Sequence, residues 1–237
     1  LETIFDTLNC KAGIHAYRVV RESNGKDIPL MLSATVSDKA GRLLSGQTLE
    51  AFLASVQHAP ILSVGLNCSF GAEDMTSCLR VLAEKAPYYI TAHPNAGLPN
   101  TLGGYDQTPE MMLSQMRHFV EEGLVNVIGG CCGTTPEHIK ALASLKSAEE
   151  TKVHIPVSRS KNMWLSGLEL MEVRPQGEAV FVNVGERCNV AGSRKFLRLI
   201  KEGSYEEALS IARKQVDDGA MVLDVNMDDG LLDAEKE

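Results

Sequence analysis

An α/β fold assembled from consecutive parallel β/α units is what this 237-residue sequence predicts. Three observations carry that expectation. Apolar, β-branched runs alternate with helical patterns up to about position 147, the signature of parallel βαβ units. The periodicity lapses over 151–178. Beyond it the same alternation restarts.

Taken in order, residues 1–5 read as the tail of a strand and its loop and 10–23 as a helix, so the domain is expected to begin upstream of Leu1. Four units follow: strand 28–36 with helix 47–58, strand 61–67 with helix 72–86, strand 88–92 with helix 109–122, and strand 125–130 with helix 136–145. The last two helices open on Thr-Pro-Glu, which sets Thr at the N-cap, Pro in the first turn and an acid early in the helix. One unit takes about 30 residues, so four make half of an eight-stranded β/α barrel. An open doubly wound sheet shares this grammar, because strand order is not written in the sequence.

Segment 151–178 holds prolines, a lone Trp164 and no helical stripe, and reads as an interdomain linker packing through Trp164 and its apolar neighbours. A strand at 180–184, helices at 194–201 and 205–217 and a strand at 221–226 then open a second domain. The expected division is therefore 1–150, 151–178 and 179–237.

Composition narrows the partners. Apolar residues make up 44% and charged residues 23%, as in folded proteins and unlike disordered chains. A net charge of −8, with the basic residues scattered, gives no footprint for nucleic acid or an anionic membrane, so small molecules are the expected partners. No stretch approaches the ~20 apolar residues of a membrane span, and the first residues show no basic region followed by an apolar run and cleavage site. A cytoplasmic location follows as an expectation. Six cysteines are too sparse and too unevenly spaced for a disulfide scaffold, which turns attention to metal binding or catalysis.

Three of them sit where chemistry is done in parallel β/α folds. Cys68 lies just past the second strand in GLNCSFGAED, and Cys131 and Cys132 just past the fourth in NVIGGCCGTTPEHI. Strand C-terminal ends carry the active site of β/α barrels. Three thiolates converging there suit Zn2+, which takes sulfur at about 2.3 Å and keeps a fourth position open when catalytic. Such an ion activates a substrate thiol by binding it as thiolate. Adjacent cysteines on a regular strand point to opposite faces, so both reach one ion only through a sharp turn, for which Gly129, Gly130 and Gly133 offer the freedom. The plain alternatives are buried structural cysteines or a vicinal Cys131–Cys132 disulfide. Cys10, Cys78 and Cys188 lack this setting and read as structural. His93, in TAHPNAG, ends a strand on the same side.

The second domain places polar residues at its strand ends: Asn183, Glu186, Arg187 and Asn189 in FVNVGERCNVAGSRKF, and Asp224, Asn226, Asp228 and Asp229 in DVNMDDG. Carboxylates and amides there can read the donor–acceptor edge of a heterocycle such as a pterin, although turn and cap roles are equally open to them.

With these segments assembled, the chain resembles the cobalamin-dependent methionine synthase family (5-methyltetrahydrofolate–homocysteine methyltransferases). ETIFDT, GLNCSFG, TAHPNAGLPN, GGCCGTTPEHI, SGLE, FVNVGERCNVAGSRKF and DVNMDDGLLD all resemble that family's motifs, in its order and spacing. The resemblance implies the C-terminal half of a (β/α)8 TIM barrel that binds homocysteine, a linker, and the first β/α units of a second, pterin-binding TIM barrel. It implies Cys68, Cys131 and Cys132 as zinc ligands, and Glu2 and Asn67 as holders of homocysteine's amino-acid end. It also implies Glu186, Asn189, Asp224 and Asn226 as residues of the 5-methyltetrahydrofolate site. Cobalamin carries the methyl group in that family. This sequence has no Asp-x-His-x-x-Gly cobalamin motif, so the cobalamin-binding module is expected as a partner and each barrel is expected to be incomplete. Two alternatives stand beside this one: a cobalamin-independent homocysteine methyltransferase using betaine or S-methylmethionine, against which the pterin-type segments argue, and a non-catalytic zinc scaffold, which a fourth protein ligand would mark.

Overall fold

The computed structural model describes residues 1–147, 151–174, 181–230, 232–233 and 236. The chain divides into two compact units, Leu1–Glu172 and Val173–Glu237.

In the first unit, α1 (Thr7–Asn24) is capped by Asp6, whose side chain accepts the Asn9 N–H, and it stops at Gly25 in the left-handed conformation. It starts earlier than its apolar stripe suggests because the cap is Asp6. Strands β1 (Leu30–Ala34), β2 (Ile61–Asn67), β3 (Tyr89–His93) and β4 (Val127–Ile128) then alternate with helices α2 (Leu49–Val56), α3 (Ala72–Lys85), α4 (Pro109–Glu121) and α5 (Pro136–Ala143). The strands lie in the order β1-β2-β3-β4, every neighbouring pair parallel. The outermost strands are shorter than read: β1 loses both ends and β4 keeps two residues. Residues at 4 and 34 add a parallel bridge at the β1 edge.

The two faces of this sheet differ. Leu32, Val64, Leu66, Ile90 and Ala92 join Phe52, Leu79, Met116 and Phe119 of the helices in one buried core. Strand residues alternate sides. The other face therefore carries Ser33, Gly65 and Thr91 in register, with Asn67 beside His93 at its C-terminal end. Gly65 has no alternative here, since a Cβ would stand 2.1 Å from the Thr91 carbonyl oxygen.

Segment 151–178 corrects the linker reading. Residues 151–157 run across the first unit as a strap, with Lys152 N–H on the Val120 carbonyl (2.8 Å), His154 N–H on Val125 (3.2 Å) and Val157 N–H on Ala86 (3.4 Å). Strands β5 (Met163–Ser166) and β6 (Leu170–Val173) form a two-stranded sheet. It docks on α2 through polar groups: Ser166 Oγ donates to the Ala51 carbonyl (2.7 Å), and the Thr48 N–H donates to the Leu168 carbonyl (2.9 Å). Trp164 is half-buried and donates its indole N–H to Glu172 (3.0 Å). Residues 148–150 and 175–178 of the expected boundaries lie outside the described residues.

In the second unit, parallel strands β7 (Val184–Asn189) and β8 (Val222–Asn226) are joined through α6 (Arg194–Lys201) and α7 (Tyr205–Asp217). Cys188, Val190, Phe196, Leu199, Ile200 and Ala208 form its core. The strand expected at 180–184 begins at Val184 and carries GERCN within it; residues 181–183 are not strand, and Val180 lies outside the described residues. The pairing register shifts between Gly185 and Cys188, a bulge that displaces Glu186 and Arg187.

Candidate metal centre and substrate pocket

The C-terminal ends of β2 and β4 bring the three cysteines together. Their sulfurs lie within 4.8 Å of one another, the one such group of potential metal ligands among the described residues, with Cys68 and Cys132 Sγ 3.7 Å apart. All three thiols are free. The turn is fixed by backbone bonds to the loop after β3: Cys68 N–H to the His93 carbonyl (3.1 Å), Cys131 N–H to Pro94 (2.8 Å) and Ala96 N–H to Cys132 (2.9 Å). Of the three glycines expected to free the turn, Gly133 takes a positive φ of 76°. Gly129 and Gly130 keep ordinary values.

Strain concentrates at this end of the sheet. Thr3, Cys68 and Ser69 hold φ at 57°, 65° and 61°, the only non-glycine residues with positive φ among those described. Each such residue costs about 1–3 kcal/mol and persists only where its surroundings enforce it. For Thr3 the enforcer is Asn67, whose Oδ1 accepts the Thr3 N–H (3.0 Å) and the Ser33 hydroxyl (2.7 Å) while its Nδ2 donates to Thr3 Oγ1 (2.9 Å) and reaches Cys131 Sγ (3.9 Å). Asn67 is thus engaged on all sides and only 2% exposed.

Cys68 and Cys131 shift in opposite directions. Against burial, which raises it, the Cys68 thiol is held below its ordinary value by the Ser69 backbone N–H and by contacts with Cys132, Cys131 and Asn95. Burial, and then charge on Cys68 and Cys132, pushes Cys131 up to about 11, with the Asn67 bond pulling the other way. Charge on Cys68 and Cys132 thus works against ionisation of Cys131. Cys10, buried in the core, is raised to about 11 chiefly by burial, as a structural thiol should be.

A cavity of about 340 Å³ opens beside Cys131, lined among others by Glu2, Ser33, Asn67, Thr91 and His93. Burial lowers the pKa of His93 from its ordinary 6.5, against the pull of the Glu2 carboxylate. The expected site residues of this unit, Glu2, Asn67, Cys68, Cys131 and Cys132, thus gather at one end of the sheet. Asn95 and Tyr105 join them unforeseen. Asn95 Oδ1 accepts the Cys132 N–H (3.0 Å), and the Tyr105 ring packs against Gly133, where a Cβ would fall 2.3 Å from Cγ. Both sit in a Pro-, Asn- and Gly-rich stretch whose local signal is only that of a turn.

In the second unit, Asn189, Asp224 and Asn226 meet at the strand ends, Asn189 Nδ2 lying 3.5 Å from the Asp224 carboxylate and Asn226 Nδ2 3.3 Å from Asn189 Oδ1. Glu186 is exposed on the bulge, and no hydrogen bond joins it to those three among the described residues. The cavity of about 220 Å³ in this unit is lined by Cys188, Phe196 and Ile200 among others, and by none of the four.

Comparison with protein families assigns the class. The chain belongs to the homocysteine S-methyltransferase family, whose model matches residues 1–145. Residues 185–237 match the pterin binding enzyme family. A homocysteine S-methyltransferase domain followed by a pterin-binding domain is the arrangement of a methionine synthase segment, and it marks a methyl-transfer protein whose substrates are homocysteine and a pterin. No helix among the described residues is long and apolar enough to cross a membrane.

Proposed function

We propose that the chain takes part in moving a methyl group from 5-methyltetrahydrofolate to homocysteine, giving methionine and tetrahydrofolate, in the cytoplasm. The observation that carries this is the convergence of three cysteine sulfurs, from two strand ends, beside a cavity bearing one carboxylate. The donor set fits zinc: ~2.3 Å bonds at tetrahedral angles separate sulfurs by about 3.8 Å, and Cys68 and Cys132 already stand 3.7 Å apart. Cys68, Cys131 and Cys132 would hold the ion, which supplies a Lewis-acid position where a substrate thiol is held as thiolate near neutral pH.

The remaining work falls to the chain's own groups. Glu2, at the cavity rim, offers a carboxylate to the substrate ammonium. Asn67 holds the strained Thr3, the neighbour of Glu2 in the chain. Thr91 lines the cavity with a neutral hydroxyl that can meet a carboxylate without adding charge, while the Ser33 hydroxyl is already donated to Asn67. On the second unit, the Asp224 carboxylate with Asn189 and Asn226 matches the paired N–H edge of a pterin, and Glu186 approaches only if the β7 bulge lets its side chain swing in. The sequence carries no Asp-x-His-x-x-Gly motif for cobalamin. Cobalamin stands as the carrier on a separate module. The pterin-type unit favours this route over a betaine or S-methylmethionine donor.

The test is metal content and proton release. Loaded with zinc, the chain should hold about one ion, and adding homocysteine should release a proton as the metal takes the thiolate. If Cys131→Ala keeps both, the assignment fails. A fourth protein ligand found by X-ray absorption in the presence of homocysteine would favour the scaffold role instead.

A further inference from the structure

Strand β7 departs from a regular ladder at one place. Gly185 pairs with Leu223 and Cys188 with Val225, so β7 advances three residues where β8 advances two. A regular ladder continued from Gly185 would set Asn189 opposite Met227, on the face away from Asp224 and Asn226. The extra residue instead pairs Asn189 with Asn226 and brings Asn189, Asp224 and Asn226 onto one face. A bulge leaves a backbone group without its ladder partner. Here that group is met by a side chain of α7. The Arg187 N–H donates to Gln215 Oε1 at 2.8 Å, while Gln215 Nε2 donates to the Ile211 carbonyl (3.3 Å) and reaches Cys188 Sγ (3.3 Å). The strand admits this amide because residue 185 is glycine: a Cβ there would stand 2.7 Å from Gln215 Oε1.

We propose that Gln215 is a positioning residue for the pterin site, which accepts the freed Arg187 N–H, locks the bulge and so holds Asn189 in register with Asp224 and Asn226. The inference rests on the pterin reading above. An unmet backbone N–H favours whatever register pairs it, and the regular register is the one in which the three polar side chains part. Gln215 removes that incentive. No hydrogen bond joins it to Asn189, Asp224 or Asn226 among the described residues, so its effect on a ligand runs through the strand.

The test is titration of the whole chain with 5-methyltetrahydrofolate, with hydrogen exchange at the Arg187 amide measured in parallel. Gln215→Leu keeps the bulk of the side chain and loses the acceptor. It should weaken binding about tenfold and speed exchange at Arg187 by at least about tenfold. Gln215→Asn, one methylene too short to reach the bulge, should match it. Gln215→Glu keeps the acceptor and should bind within about threefold of the parent. In an Asn189→Ala background, Gln215→Leu should cost less than about twofold more, because it acts through the placement of Asn189. Unchanged affinity or unchanged exchange in Gln215→Leu would overturn the proposal. So would full additivity with Asn189→Ala, or binding as weak in Gln215→Glu as in Gln215→Leu, since Gln215 would then merely support the fold. A parent chain that does not bind methyltetrahydrofolate overturns the pterin reading itself, an outcome separate from these.

Discussion

The two units solve recognition with different amounts of buried order. In the first, the cysteines are gathered by backbone bonds from the loop after β3, two buried asparagines and three residues held at positive φ. In the second, Asn189, Asp224 and Asn226 share a strand end through side chains that stay at least partly exposed, with a single small core behind them. The difference follows from what each must hold. On the proposed reading three sulfurs from two strand ends must be held close enough for one ion to bridge them, and here strain and fixed amides hold them. A pterin edge, proposed for the second unit, would ask only for registered donors and acceptors, and adjacent parallel strands supply that register.

The sharpest way to break this contrast is Cys131→Ala. It should lower zinc affinity at least about 100-fold, because two thiolates are too few soft ligands for an open site. Binding of methyltetrahydrofolate should not change. Competition with a chelator measures the first and ligand titration the second; a coupled loss would show that the units do not work as separate sites.

Next comes Gly65→Ala, which drives a Cβ to within 2.1 Å of the Thr91 carbonyl oxygen. Overpacking of this kind costs about 3 kcal/mol, so denaturant unfolding should show the first unit weakened and the second untouched. A variant as stable as the parent would mean that β2 and β3 can separate, and that the face carrying Asn67 and His93 is looser than its register indicates.

Asp224→Ala and Asn189→Ala sharpen the other side. Each should weaken methyltetrahydrofolate binding by about tenfold, the worth of one hydrogen bond to a charged group or a little less, with zinc content unaltered. Unchanged affinity in both variants rejects the pterin assignment. Glu186→Ala should matter less than either, since Glu186 makes no hydrogen bond with the other three among the described residues.

How far the sequence alone reaches depends on the range of the interaction. The four parallel strands of the first unit were legible because burial writes β-branched runs and strand ends are punctuated by Gly, Asn and Pro. Cys68, Cys131 and Cys132 were legible because all three fall at such ends. Asn95 and Tyr105 were not: their roles come from pairing of 94–96 with the Cys131–Cys132 turn and from the fit of Tyr105 on Gly133, contacts between residues distant in the chain. The β5–β6 sheet stayed hidden for a related reason. It docks on α2 by hydroxyl and backbone hydrogen bonds, which leave no periodic apolar pattern. The start of β7 was misplaced because the apolar run before Val184 looks more like strand than the polar GERCN that is paired.

The smallest expected effect concerns the strap across the first unit, where His154 is 5% exposed and its Nε2 lacks a partner. Burial lowers its pKa from 6.5, against a hydrogen bond with the Tyr88 backbone. The sign follows from proton counting. Below pH 6.5 the unfolded chain binds a proton at this histidine that the folded chain resists, so stability falls as pH drops through 6.5 toward the folded value. His154→Gln, which retains a donor for Tyr88 and cannot charge, should unfold within about 1 kcal/mol of the parent at pH 7 and lose less stability between pH 7 and 5. His93, also lowered by burial, leaves a residual slope in both proteins. Thermal unfolding across that range reads the difference. Parallel curves would mean that His154 gains a proton without opening the strap, and that the strap is a looser part of the first unit than its backbone bonds to Val120, Val125 and Ala86 imply.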